Sequence, residues 1–458
     1  MPTQPAKPLN TNNVPQEHRV HRKPGGWLPS DHRIHRDWLS NIIDHVAKNP
    51  TDLHPVLQEF KHLIESSTRV YLLFNAMFEE IPNKQPYNKD ASGQHKQIRD
   101  YLHLLQVLNH ILTTPPHWND SSEMVGLVGL PINAVLDWPM GTPSGYAAFL
   151  DPEINKMIKK VLDAWGEFLR SPDSLSALST SQTGWFSPHG TTHLELAANH
   201  DGTTTIPFSQ LYICDPQKPY HGFTSWDDFF TRKFHPSVRP VESPDDDSVI
   251  VNACESLPYH IATGIKLRDT FWNKEQAYSA LDMLGHDELA SQFEGGTVYQ
   301  AFLSALSYHR WHSPVSGVVK KAYVIEGTYY SEPLWEGVGD PSPGKDREKI
   351  EQGSESKSQG YLTATATRAL IFIEADNRDI GVVAFLGIGM VEVSTCEITV
   401  KRGQRVNKGD EIGMFHFGGS THCLVLQKGV EVEGWPDVEG AEWNVPVRGK
   451  LCRVVGRK

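Results

Sequence analysis

What is scarce in this chain narrows its class before any motif is read. Five cysteines (Cys214, Cys254, Cys396, Cys423 and Cys452) are spread over 458 residues, and no two form a C-x-x-C pair. So sparse and odd a set predicts a reducing compartment without a disulfide framework. Long apolar runs are missing: nowhere do about 18 apolar residues follow one another, and the first residues lack the apolar centre of a signal peptide. Positive charge is in deficit. Lys and Arg number 43 against 55 Asp and Glu, a net charge of −12, which disfavours nucleic acid or an anionic membrane surface as the main partner. No zinc or calcium motif and no evident phosphate cradle occurs. Together these absences predict a cytoplasmic enzyme or binding protein without stable membrane insertion and without a metal.

The length predicts two or more domains. Residues 1–37, rich in Pro, Asn, His and Arg, read as a polar tail. Helical periodicity then dominates residues 38–200. Trp38, Leu39, Ile42, Ile43 and Val46 share a face, and Ile98, Tyr101, Leu102, Leu105, Leu108, Ile111 and Leu112 make a longer stripe. Asp151-Pro152 offers a cap and a first-turn proline to Ile154, Met157, Ile158, Val161, Leu162, Trp165, Phe168 and Leu169. From about residue 245 the pattern turns to short β-rich runs: SVIVNA, SGVVKKAYVI, RALIFIEA, GVVAFLGIGMVEVS and THCLVLQKGVEVE. The fold class is therefore α+β, a helical N-terminal region followed by a β-rich domain over residues 201–458. The polar stretch 337–360 reads as a mobile surface loop.

Three strings of the form HRxH occur, at His18–His21, His32–His35 and His309–His312. The first two lie in the polar tail and read as solvated. The third opens YHRWHSPVSG, where two imidazoles stand beside an arginine at the start of the β-rich region, and neutral imidazole is the usual general base. Near the end stands FHFGGST, Phe415 to Thr421. Read alone, its alternating Phe415 and Phe417 make a half-buried strand, and Gly418-Gly419 a turn or bulge.

YHRWHSPVSG at Tyr308–Gly317 resembles the Y-H-R-x-H-x-P-x-x-G motif of phosphatidylserine decarboxylases. DDFFTRKFHPSVRPV, Asp227 to Val241, resembles that family's FFxRxLxPxxRP segment, and FGGST sits where the family carries its self-cleavage motif. The strings ACES (Ala253–Ser256), IEADN (Ile373–Asn377) and GMFHFGGS (Gly413–Ser420) bring the chain closest to the soluble fungal branch with tryptophan decarboxylase activity. The doubled glycine agrees with that branch. The resemblance covers about residue 25 to the end.

Several expectations follow from it. Decarboxylation of an amino acid leaves negative charge on Cα and needs an electron sink. In this family the sink is a pyruvoyl group made from the chain, without pyridoxal phosphate. The motif serine attacks the preceding glycine's carbonyl, and elimination and hydrolysis then follow. Here that places the cut between Gly419 and Ser420, giving a β-chain 1–419 and an α-chain 420–458. His312 becomes the base for maturation, and His309 the proton donor or substrate positioner in decarboxylation. Glu255 stands where the family carries an aspartate, so either it or another acid such as Glu374 or Asp376 orients His312. The substrate implied is a small amino acid, L-tryptophan first, with Trp311, Tyr329, Tyr330 and Trp335 as pocket candidates, and a homodimer is possible in such enzymes. Two other readings stay open: a phosphatidylserine decarboxylase proper, or a carrier-like or non-maturing relic. The latter rests on GQRVNKGDEIG, Gly403 to Gly413, which resembles the turn of lipoyl-type domains.

Overall fold

Asp151 starts a helix as its sequence demands: the carboxylate accepts from the N–H groups of Glu153 and Ile154, and Pro152 takes the first helical position. The structure is a computed structural model that describes residues 32–82, 87, 98–118, 130–199, 206–269, 278–333, 358–393, 395–417, 420–438, 441 and 443–458, the side chains of 32–36, 358 and 393 excepted. The HRxH string at His18 lies outside these residues, as do Trp335, most of 337–360, and Gly418-Gly419.

The N-terminal region is helical: α1 (His32–Lys48), α2 (Pro55–Ser66), α3 (Thr68–Glu79), α4 (Tyr101–Ile111), α5 (Pro131–Met140), α6 (Pro143–Leu150), α7 (Pro152–Leu169) and α8 (Pro188–Ala198). Helix α1 begins at His32, inside the segment read as tail, since a helix once nucleated propagates residue by residue. In α4 the buried face runs through Leu104, Leu105, Val107 and Leu108, while Leu102 stands 46% exposed. Two short helices follow, α9 (Phe208–Leu211) and α10 (Trp226–Phe230).

The second half is antiparallel. Seven strands form the main sheet in the order β2 (Leu257–Thr263), β3 (Thr297–Leu303), β11 (Ser420–Leu426), β7 (Val382–Gly389), β6 (Arg368–Ala375), β5 (Gly317–Ile325) and β9 (Arg405–Val406). One small sheet orders β4 (Arg310–His312), β10 (Glu411–His416) and β8 (Thr395–Ile398), and another β1 (Val249–Val251), β13 (Lys450–Arg457) and β12 (Val430–Glu433). One face of the main sheet packs on the helices, through Leu370, Phe372, Leu386, Cys423 and Val425. Its other face meets the small sheets, through Tyr299, Phe385, Leu424, Trp311 and Phe415. Central strands are thus buried on both faces, which is why they read as continuous apolar runs rather than as alternation.

Candidate active site

Ser420 heads β11, with Leu303 of β3 and Gly389 of β7 as its ladder partners. It is fully buried, and its Oγ has no hydrogen-bond partner among the described residues. A buried hydroxyl is costly to leave unpaired, and Tyr299, Thr328 and Tyr330 also carry buried hydroxyls without a partner among the described residues. Two residues on from Ser420, and therefore on the same sheet face, lies His422. Both of its ring nitrogens also lack partners among the described residues, and burial pushes its pKa down to about 3.

Both histidines of YHRWH are buried. His309 stacks on Phe230 of α10 with centroids 4.0 Å apart, and its carbonyl accepts from Phe415 N–H. His312 Nδ1 lies 2.9 Å from Gly409 O, and Tyr308 OH lies 3.2 Å from Nε2. That network assigns the proton to Nδ1, leaving Nε2 to accept from the tyrosine. Burial, and next the Arg448 charge, push the His312 pKa down to about 3, so the ring is neutral. His312 and Ser420 are not hydrogen-bonded to each other, since Ser420 Oγ has no partner.

Glu255 is 1% exposed and faces a cation rather than His312. Arg239 grips its carboxylate with two bonds of 2.9 and 2.7 Å, and Val447 N–H donates a third at 2.8 Å. Glu374 is paired with Lys320 and Asp376 with Arg405, both at the surface. One further arrangement had no counterpart in the motif reading. His416 Nδ1 lies 2.9 Å from Asp227 and its Nε2 3.0 Å from Glu397, so it bridges two carboxylates just before the glycine pair. The only sequence signal for it was that both His416 and Asp227 belong to strings already singled out.

Residues 54–194 and 226–441 each match the phosphatidylserine decarboxylase family. The decarboxylase iboD of Amanita muscaria is 43% identical over 70% of this chain and 91% of its own length. An L-tryptophan decarboxylase of Psilocybe cyanescens is 37% identical over 88% of each chain, and the phosphatidylserine decarboxylase proenzyme 3 of Schizosaccharomyces pombe 28% identical over 55% of this chain and 24% of its own. The chain belongs to the phosphatidylserine decarboxylase family. It is a decarboxylase, hence a carboxy-lyase.

That family uses a covalent pyruvoyl group, and its members include chains named as proenzymes. The unpartnered Ser420 hydroxyl fits a serine awaiting conversion to it. Pocket candidates divide between the sheet's two faces. Trp311 is sandwiched between sheets where Gly387 and Gly413 leave room for its ring: a Cβ on either would stand 2.8 or 2.5 Å from it. Tyr329 and Tyr330 pack on the helical side, Tyr329 OH bonding Glu326 and the Tyr330 ring lying 6.5 Å from Phe149. The carrier-like reading fares poorly at Lys408, which is 5% exposed with its Nζ donating to the carbonyls of Ser243, Asp246 and Val249. Among the described residues no helix is long and apolar enough to cross a membrane, and no group of three metal-ligating side chains occurs.

Proposed function

We propose that the chain is a pyruvoyl-dependent decarboxylase of a free aromatic L-amino acid, L-tryptophan foremost, and that it matures by cutting itself between Gly419 and Ser420. The observation that carries this reading is the buried, unpartnered Ser420 hydroxyl at the head of a central strand. Its similarity to L-tryptophan decarboxylases over most of the chain supports the substrate.

In maturation the Ser420 Oγ–C bond to the Gly419 carbonyl forms as the Gly419–Ser420 C–N bond breaks. The hydroxyl proton passes to a base and returns to the freed nitrogen. Elimination across Cα–Cβ of residue 420 then releases the Gly419 carboxylate, and water displaces ammonia. His312 is the base assigned, its neutral ring leaving Nε2 as the acceptor, although burial makes that nitrogen a weak base. Tyr308 OH now occupies its Nε2 and must give way for that step. Glu255 acts at one remove, by fixing Val447 beside Arg448, whose Nε–H donates at 3.0 Å to the same Gly409 carbonyl that His312 Nδ1 reaches. Once formed, the pyruvoyl carbonyl supplies the electron sink that decarboxylation requires. His309, buried against Phe230, returns the proton to Cα.

The test is a denaturing gel followed by substrate feeding. Wild-type protein should yield a fragment of roughly 4 kDa, and Ser420→Ala should remain one band of 51.4 kDa. The mature protein should release CO₂ from free tryptophan. Release from phosphatidylserine vesicles alone would assign the lipid instead, and an uncleaved wild-type chain would sink the maturation.

A further inference from the structure

Phe417 carries its ring on backbone with φ of +67°, a left-handed conformation that non-glycine residues avoid. Such a conformation persists only where the surroundings over-determine it. Here they do, and they come largely from the helical region. The Phe417 ring lies 6.3 Å from the Trp165 ring and 6.4 Å from that of Trp226, with the Arg170 guanidinium 5.3 Å above it. A Cβ built on Gly166 would stand 3.0 Å from Phe417 Cε2, so glycine lets α7 approach this closely. The preceding His416 is held by Asp227 of α10, and Arg170 Nε lies 3.6 Å from that same carboxylate.

We propose that Trp165, Gly166 and Arg170 are positioning residues for self-cleavage: they hold Phe417 left-handed and so set the direction in which the chain leaves β10 toward Ser420. This rests on the self-cleavage reading above and gives the helical region a role in making the cofactor. A nucleophile attacks a carbonyl only from a narrow range of geometry, so a small misplacement of the entering chain slows the cut strongly.

The test follows cleavage of freshly made precursor on a denaturing gel for wild type, Gly166→Ala, Arg170→Gln, Phe417→Ala and Phe417→Gly. Thermal midpoint and turnover per pyruvoyl group are measured alongside. Gly166→Ala and Arg170→Gln should slow cleavage while turnover per pyruvoyl group, once cut, stays at the wild-type value. Phe417→Ala loses the ring yet keeps the left-handed penalty, whereas glycine adopts that conformation freely. Phe417→Gly should therefore cleave about tenfold faster than Phe417→Ala. Packing alone predicts the opposite order or no difference. Equal loss in the two Phe417 variants would overturn the inference, as would cleavage within twofold of wild type in Gly166→Ala and Arg170→Gln. A wild-type chain that stays whole removes the self-cleavage reading itself, and this inference with it.

Discussion

His422 lies two residues beyond Ser420 with no hydrogen bond to either ring nitrogen among the described residues, and its pKa is depressed to about 3. Its ordinary value is 6.5, so between about pH 6.5 and 3 the unfolded chain binds a proton that the folded chain refuses. Stability is therefore unaffected by this group above that window and falls as pH drops through it, by up to about 1.4 kcal/mol per pH unit. His312 adds a second proton of the same sign. Replacing His422 by Leu should flatten the acid limb by about one proton and leave stability at neutral pH unchanged or higher, because no hydrogen bond is lost. Urea midpoints taken from about pH 4 to 8 check this, and an acid limb as steep as in wild type would refute it. Much at this scale was invisible in the sequence. Ser420 and His312 stood out through their motifs, but whom Glu255 faces did not, since Arg239 and Val447 reach it only through the fold.

Helix α7 was legible because its signals are local: a capping Asp, a proline at the first position and an apolar residue at nearly every third or fourth place. Strand β6 was legible for a different reason. RALIFIEA lies buried on both faces except at Glu374, so an unbroken apolar run from Ala369 to Ile373 marks its centre. The short β9 and β8 escaped notice, being two and four residues long with exposed members. Nor could alternation at Phe415 and Phe417 reveal a left-handed residue, because that conformation is imposed by α7 and α10 from afar. Asp151 does more than cap α7, since it also pairs with Arg69 of α3. Asp151→Ala should cost about 1 kcal/mol of stability and Asp151→Asn much less, because asparagine still accepts from the first turn. Equal losses in a denaturant titration would mean that the ion pair, rather than the cap, dominates.

At the scale of the molecule, the boundary drawn near residue 200 separates kinds of secondary structure and not cores. One apolar cluster runs from Leu39 of α1 through Trp165 and Phe230 to Val425 of β11 and on to Val447. Composition marks where helices give way to strands, but it carries no record of which face of a sheet those helices will cover. The same architecture decides what becomes of the proposed small chain. Residues 420–458 contribute β11, locked between β3 and β7 through seven ladder pairs on each side, together with β12 and β13. All seven β11 residues are buried. Extracting that strand would split the seven-stranded sheet into two strands and four and expose both cores, so the ladder and the apolar packing oppose loss of the fragment together. After cleavage the two chains should elute as one species on native size exclusion and separate only in denaturant. Appearance of the small chain by itself under native conditions would show that β11 is held far more weakly than its pairing on both edges requires.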